Sequence, residues 1–140
     1  MSAAANLVAG VSVKVNGQAL DPGVTIVEAR VQDNLMLPDA FMLRALDPDF
    51  KLVDGSMFDI GAKVELHYAP ASERGGAEGV FKGEIATIAP QFEKEGPILV
   101  VRGYDLGHRL TRSHNTRTFQ DMTASDIASK IIGEAGLDKD

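Results

Sequence analysis

Apolar and polar residues alternate along most of the chain, and the alternation predicts strands. Val11, Val13 and Val15 alternate with Ser12 and Lys14, the period of a half-buried strand. Asn16-Gly17 follows, a pair that tolerates positive φ and so signals a tight hairpin. Gln18-Ala19-Leu20 is its short return, and Asp21-Pro22-Gly23 is the next turn. Val24–Asp33 predicts a strand whose alternation slips once, the mark of a bulge. Ala40–Leu46 predicts another, with Phe41, Leu43 and Ala45 on one face; its length between Pro38-Asp39 and Asp47-Pro48 suits a strand better than a helix. Phe50–Phe58 reads as a connector with short apolar anchors. Lys63–Ala69 is a clean amphipathic strand, Val64, Leu66 and Tyr68 opposing Lys63, Glu65 and His67. Pro70–Gly79 reads as a polar loop, a protrusion or hairpin tip. Val80–Ile88 predicts a strand bent at Gly83 and stopped by Ala89-Pro90. Gly96–Asp105 carries the continuous run Ile98-Leu99-Val100-Val101, expected of a strand covered on both faces.

After Asp105 the period changes. A basic loop leads to a helix in which Ala124, Ile127, Ala128, Ile131, Ile132 and Ala135 form one apolar stripe. Thr123 is the expected N-cap, with Asp126 at N3 completing a capping box. Asp126 and Lys130 are spaced for an i, i+4 pair. Gly136 is placed for the left-handed residue of a Schellman cap, with Leu137 as its apolar contact. A strand-to-helix unit normally returns to another strand. The reading therefore expects these residues to be the N-terminal part of a longer chain. The expected fold class is mainly β, α+β in all: a β-rich domain over residues 1–105, then a basic loop and helix over 106–140.

Composition narrows the class without naming a chemistry. Hydrophobic content of 44% and charged content of 24% are ordinary globular values. With no cysteine there is neither a disulfide framework nor a thiolate metal site. No stretch is long and apolar enough to span a membrane as a helix, and the opening MSAAANLVAG lacks the basic start of a signal peptide. The net charge of -6 is uneven: the first 97 residues hold 8 basic and 14 acidic side chains, the remainder 6 of each. The acidic bulk argues against nucleic-acid binding. Arg102, Arg109, Arg112 and Arg117 nevertheless cluster with only Asp105 between them. The cluster is either an ion-paired surface loop or an interface to an acidic surface, and Arg109, Arg112 and Arg117 are the candidate residues for subunit or domain pairing.

Catalytic and ligand-binding patterns are missing. His108 and His114 match no metal-ligand spacing. Gly75-Gly76 with Gly79 lacks the Lys-Ser/Thr pair of a phosphate-binding loop. Asp47 and Asp49, flanking Pro48, read as turn residues, since no apolar surround separates their pKa values. No nucleophile, base and orienter set is legible. The expectation is a protein that is not an enzyme and that takes no cofactor and no metal. A carbohydrate- or peptidoglycan-binding module is the alternative from another class; with no Trp and only Tyr68 and Tyr104, the chain is poor in sugar-stacking aromatics.

Three stretches carry a family resemblance: VQDNLMLPDAFMLRALDPD (31–49), FDIGAKVEL (58–66) and VVRGYDLGHRLTRSHNTRTFQDMTASDIASKIIGEAGL (100–137). Together they resemble the N-terminal region of VgrG-like spike proteins of contractile injection systems, relatives of the phage late control gene D product and of the phage tail hub. The resemblance implies a tail-tube-like antiparallel β-barrel, followed by the start of a small α/β domain with one C-terminal helix. It also implies a structural function in the baseplate hub, adapting a sixfold tube to a threefold needle. The partners implied are a second and third copy in a homotrimer, the inner tube protein and other baseplate proteins, with no nucleic acid and no direct membrane anchor. Assembly would occur in the cytoplasm, into a phage-tail-like particle that ends up extracellular or virion-associated.

Overall fold

Turn chemistry and alternation together set the strands. In the computed structural model, which describes residues 11–68 and 79–137, Asn16 and Gly17 have φ of 50° and 79° and close the first hairpin, as their tolerance of the left-handed region requires. The strands are β1 (Val11–Val15), β2 (Gln18–Ala19), β3 (Thr25–Gln32), β4 (Ala40–Leu46), β5 (Lys63–Tyr68), β6 (Gly79–Glu93) and β7 (Gly96–Asp105). They form one antiparallel sheet in the order β2-β1-β5-β6-β7-β4-β3. The slip anticipated in β3 is a register shift between Ile26 and Glu28.

The sheet rolls up around its apolar face. Val13 and Val15 of β1, Val64 and Leu66 of β5, Phe41 and Leu43 of β4 and Ile26 of β3 belong to one buried cluster, although β1 and β3 stand near opposite ends of the strand order. Val11, Leu66 and Tyr68 share a gap with Ala29 and Val31, so the two ends of the sheet face each other. Among the described residues no ladder joins β3 to β1 or β2. On β7 all four residues of Ile98–Val101 are buried, the two-sided cover that an unbroken apolar run predicts. Leu99 and Val101 point into the core; on the outer face Arg44 of β4 bridges Glu28 of β3 at 3.0 Å and Glu93 of β6. Gly103 cannot be replaced: a Cβ there would lie 2.0 Å from the carbonyl oxygen of Glu84 and 2.5 Å from the Phe41 ring. The bare backbone lets the rings of Phe41 and Phe81 meet at 5.4 Å.

Three expectations change. Ala89-Pro90 does not end its strand, because β6 runs on to Glu93. β5 flanks β6 only from Gly79 to Glu84, and Pro90 pairs with Leu99 of β7 alone; on a one-sided stretch the missing N–H costs no ladder bond. The 50–58 connector contains a helical turn, α1 (Lys51–Asp54), whose Leu52 and Val53 amides donate to Asp47 at 2.9 and 3.0 Å. Asp47 is thus a turn residue, as read. The basic loop opens with a 3-10 turn, Leu106–Thr111, before the C-terminal helix α2 (Ala124–Glu134). The predicted loop over 70–79 falls, except for Gly79, outside the described residues.

The caps of α2 follow the sequence reading. Thr123 accepts from the Asp126 amide and the Asp126 carboxylate accepts in return, a full capping box. Gly136 has a φ of 69°, with Leu137 N–H donating to Ile132 O and Gly136 N–H to Gly133 O, the Schellman pattern. Lys130 lies 5.9 Å from the Phe119 ring centre, while the Asp126 carboxylate is engaged at the cap.

Candidate functional site

Glu84 occupies an outward position on β6. Phe81 and Ile85 face the core, and alternation sends Glu84 to the other side, where its cross-strand neighbour is Tyr104. An outward glutamate should be wet, yet only 4% of Glu84 is exposed. The cover is the 3-10 turn. β7 ends at Asp105, whose N–H donates to Asp39 O at 2.9 Å, and the chain then folds back over the outer face of the sheet.

That fold-back brings three cationic or ionisable side chains onto one carboxylate. Arg109 donates through Nε at 3.3 Å and through its terminal nitrogen at 2.7 Å. Arg112 donates at 3.0 Å, and His108 Nε2 stands 3.1 Å away. His108 is itself buried, with Nδ1 on the Asp105 carbonyl and Nε2 2.8 Å from Arg112. The Arg109 hydrogen bond is the main cause that holds Glu84 below the ordinary carboxylate pKa of 4.5; burial opposes it, and the charges of Arg109, His108 and Arg112 add to it. The same pairing raises Arg109 above its ordinary value. Fork-like donors of this kind make strong, charge-assisted hydrogen bonds to a carboxylate; general-base work at neutral pH favours a pKa shifted the other way.

Arg109 also reaches the helix. Its other terminal nitrogen donates to Ala135 O at 3.4 Å, so one side chain links β6, the 3-10 turn and the C-terminal end of α2. Arg117 does not join the cluster: it pairs with Glu134 of α2. Of the three candidate arginines, two converge on Glu84 and the third braces the helix from outside. Between them lies a groove of about 410 Å³, with Leu110, Phe119 and Ile131 as its apolar lining and Arg109 and Arg117 among its polar residues. No residue of α2 is buried; of the apolar stripe seen in the sequence, Ile127, Ile132 and Ala135 are half-buried and Ala124, Ala128 and Ile131 are exposed. Glu84 and His108 were not legible as partners of these arginines. An isolated outward glutamate looks solvated, and the fold-back that buries it has no local signature. Among the described residues no group of His, Asp and Glu is arranged to hold a metal ion, and no helix is long and apolar enough to cross a membrane.

Residues 5–140 match the family model described as the Alg8 N-terminal domain. The chain belongs to this family. The match covers both the rolled sheet and the arginine-bearing segment. No curated protein sequence matches it. Among solved structures, the fold is similar to the prophage MuSo2 43 kDa tail protein from Shewanella oneidensis, at a TM-score of 0.61 and 16% identity over 94% of this chain. It is also similar to a tail protein from Neisseria meningitidis MC58, at a TM-score of 0.58 and 20% identity over 89% of this chain. The chain spans 40% and 34% of those two proteins. The fold of this Alg8 N-terminal domain is therefore shared with these two tail proteins.

Proposed function

We propose that the chain is a structural part of the hub of a phage tail or contractile injection system, of the VgrG-like kind. Its role is to help form a ring that joins a sixfold tube to a threefold needle. The carrying observation is the likeness, over nearly all of the chain, to phage tail proteins; the VgrG-like motif over residues 100–137 supports the finer reading. The chemistry of the site agrees with it: the most buried charge cluster is locked by ion pairs, which suits an anchor between structural elements. No catalytic role, cofactor or metal is part of the proposal. The partners are further copies of the chain in a homotrimer, the tube protein and other baseplate proteins.

Antibody labelling of intact tail-like particles, viewed by negative-stain electron microscopy, tests this. Label confined to one end of the tube, with spikeless particles when the gene is deleted, is the expected result. Label along the shaft, or normal particles after deletion, overturns it.

A further inference from the structure

Among the described residues, Asp47, Glu84 and His108 are the buried side chains that can titrate. Asp47 caps α1 and Glu84 receives the arginines, but an anchor does not need a histidine. The protons of His108 are fixed by its neighbours. The Asp105 carbonyl can only accept, so Nδ1 carries a hydrogen. Nε2 then holds either a lone pair, in the neutral ring, or a second hydrogen, in the imidazolium.

Three atoms form a triangle at Nε2. Glu84 Oε1 lies 3.1 Å away and the Arg112 terminal nitrogen 2.8 Å away; that nitrogen is 3.0 Å from the same Oε1. A guanidinium nitrogen of this kind has two hydrogens and nothing to accept with. It can give one hydrogen to Oε1 and the other to Nε2 only while Nε2 is an acceptor, in the neutral ring. Without that bridge, a neutral Nε2 would set its lone pair against a carboxylate oxygen. A hydrogen on Nε2 inverts the arrangement. The imidazolium donates straight to Oε1, and it meets Arg112 as donor against donor and charge against charge.

We propose that a proton on His108 and the Arg112 guanidinium compete for one place: protonation binds the imidazolium to Glu84 and releases Arg112 to solvent. Arg112 is the partner free to leave, with its side chain 60% exposed against 5% for Glu84. Arg109 stays, because its fork spans both oxygens of Glu84 and its other terminal nitrogen donates to Ala135 O. The other groups around the ring are Tyr104, with its ring centre 5.8 Å away, and the Asp105 carboxylate, which accepts from Asp39 N–H. Glu134 of α2 is taken by Arg117. Glu84 is held ionised below 4.5, whereas an imidazole gains its proton in the mildly acid range, so the exchange takes place on a charged carboxylate. The device is a proton-operated latch. Mild acid frees the chain that leaves the turn at Arg112, while Arg109 keeps sheet, turn and α2 joined. It stands independently of the hub reading.

Nitrogen-15 NMR of the full chain, titrated from about pH 8 to pH 5, tests the latch. At the alkaline end His108 should be the Nδ1–H tautomer. As it gains its second proton, the Arg112 side-chain Nε–H should take on the relaxation of a mobile arginine while that of Arg109 stays ordered. In Arg112→Ala the His108 midpoint should rise by about one pH unit, since a donor to the neutral ring and a neighbouring positive charge are both lost. Arg117→Ala removes an equal charge that is paired elsewhere and should leave the midpoint unmoved. A hydrogen on Nε2 at the alkaline end, an Arg112 signal that ignores the titration, or an unchanged or lower midpoint in Arg112→Ala overturns the proposal. So does an equal rise in Arg117→Ala, which would make the effect one of overall charge. Should Arg112→Ala fail to fold, the tautomer and the Arg112 relaxation of the parent decide.

Discussion

In the sheet, Leu43, Val64, Leu66, Ile85, Leu99 and Val101 are at most 1% exposed and belong to one core cluster across four strands. In α2, which is 11 residues long, no residue is buried. The first region is stabilised by removing apolar surface from water, at roughly 1.5–3 kcal/mol for each large side chain. The second is held by its own caps and by a few charged contacts, with its apolar stripe only partly covered. A helix capped at both ends keeps its shape with little burial, and Arg109 and Arg117 tie it to the rest of the chain.

Core truncation gives the largest effect. Leu66→Ala, at a fully buried position, should cost about 3–4 kcal/mol, read as a lower urea midpoint with the sheet and α2 lost together. Loss of α2 alone would mean that the core does not dominate.

Glu84→Ala comes next. It removes the carboxylate on which Arg109 and Arg112 converge and should cost about 2–3 kcal/mol. Amides of α2 should lose hydrogen-exchange protection before those of β4 and β7; uniform loss would break the distinction between the two regions. Because the folded-state pKa of Glu84 is lowered, its contribution is complete above the unfolded value near 4.5 and is lost as pH falls from there through the folded value. The pH dependence of stability below about 4.5 should therefore be shallower in Glu84→Gln than in the parent; equal slopes would show that other carboxylates carry the acid sensitivity.

The two regions were also unequally legible. Strands β1, β4 and β5, the hairpin at Asn16-Gly17 and both caps of α2 follow from spacing within a few residues, because the forces that set them are local. Pro90 misled, since proline stops a strand only where both sides are paired, and pairing on one side is a property of the whole sheet. Glu84 was invisible for a related reason: its partners lie 25 and 28 residues away in sequence, and only the fold-back after Asp105 unites them. The arginines were conspicuous as a cluster, but their division between Glu84 and Glu134 needed the fold. For the same reason, reversing the charge of Arg109 or Arg112 would set an acid beside a buried carboxylate and disturb the fold itself.

Smaller effects sharpen the comparison. Thr123→Ala removes the capping box and should cost about 1 kcal/mol, seen as fraying of the first turn of α2 by NMR with the urea midpoint of the sheet unmoved. Arg117→Ala breaks only an exposed pair with Glu134 and should change stability by less than about 1 kcal/mol. A larger loss in thermal unfolding would mean that α2 is bound more tightly to the sheet than its contacts indicate.

The most direct test of a ring-forming scaffold is the mass of the full-length protein in solution. Light scattering on the eluting peak at micromolar concentration should give three copies per particle. A single copy across that range would contradict the account.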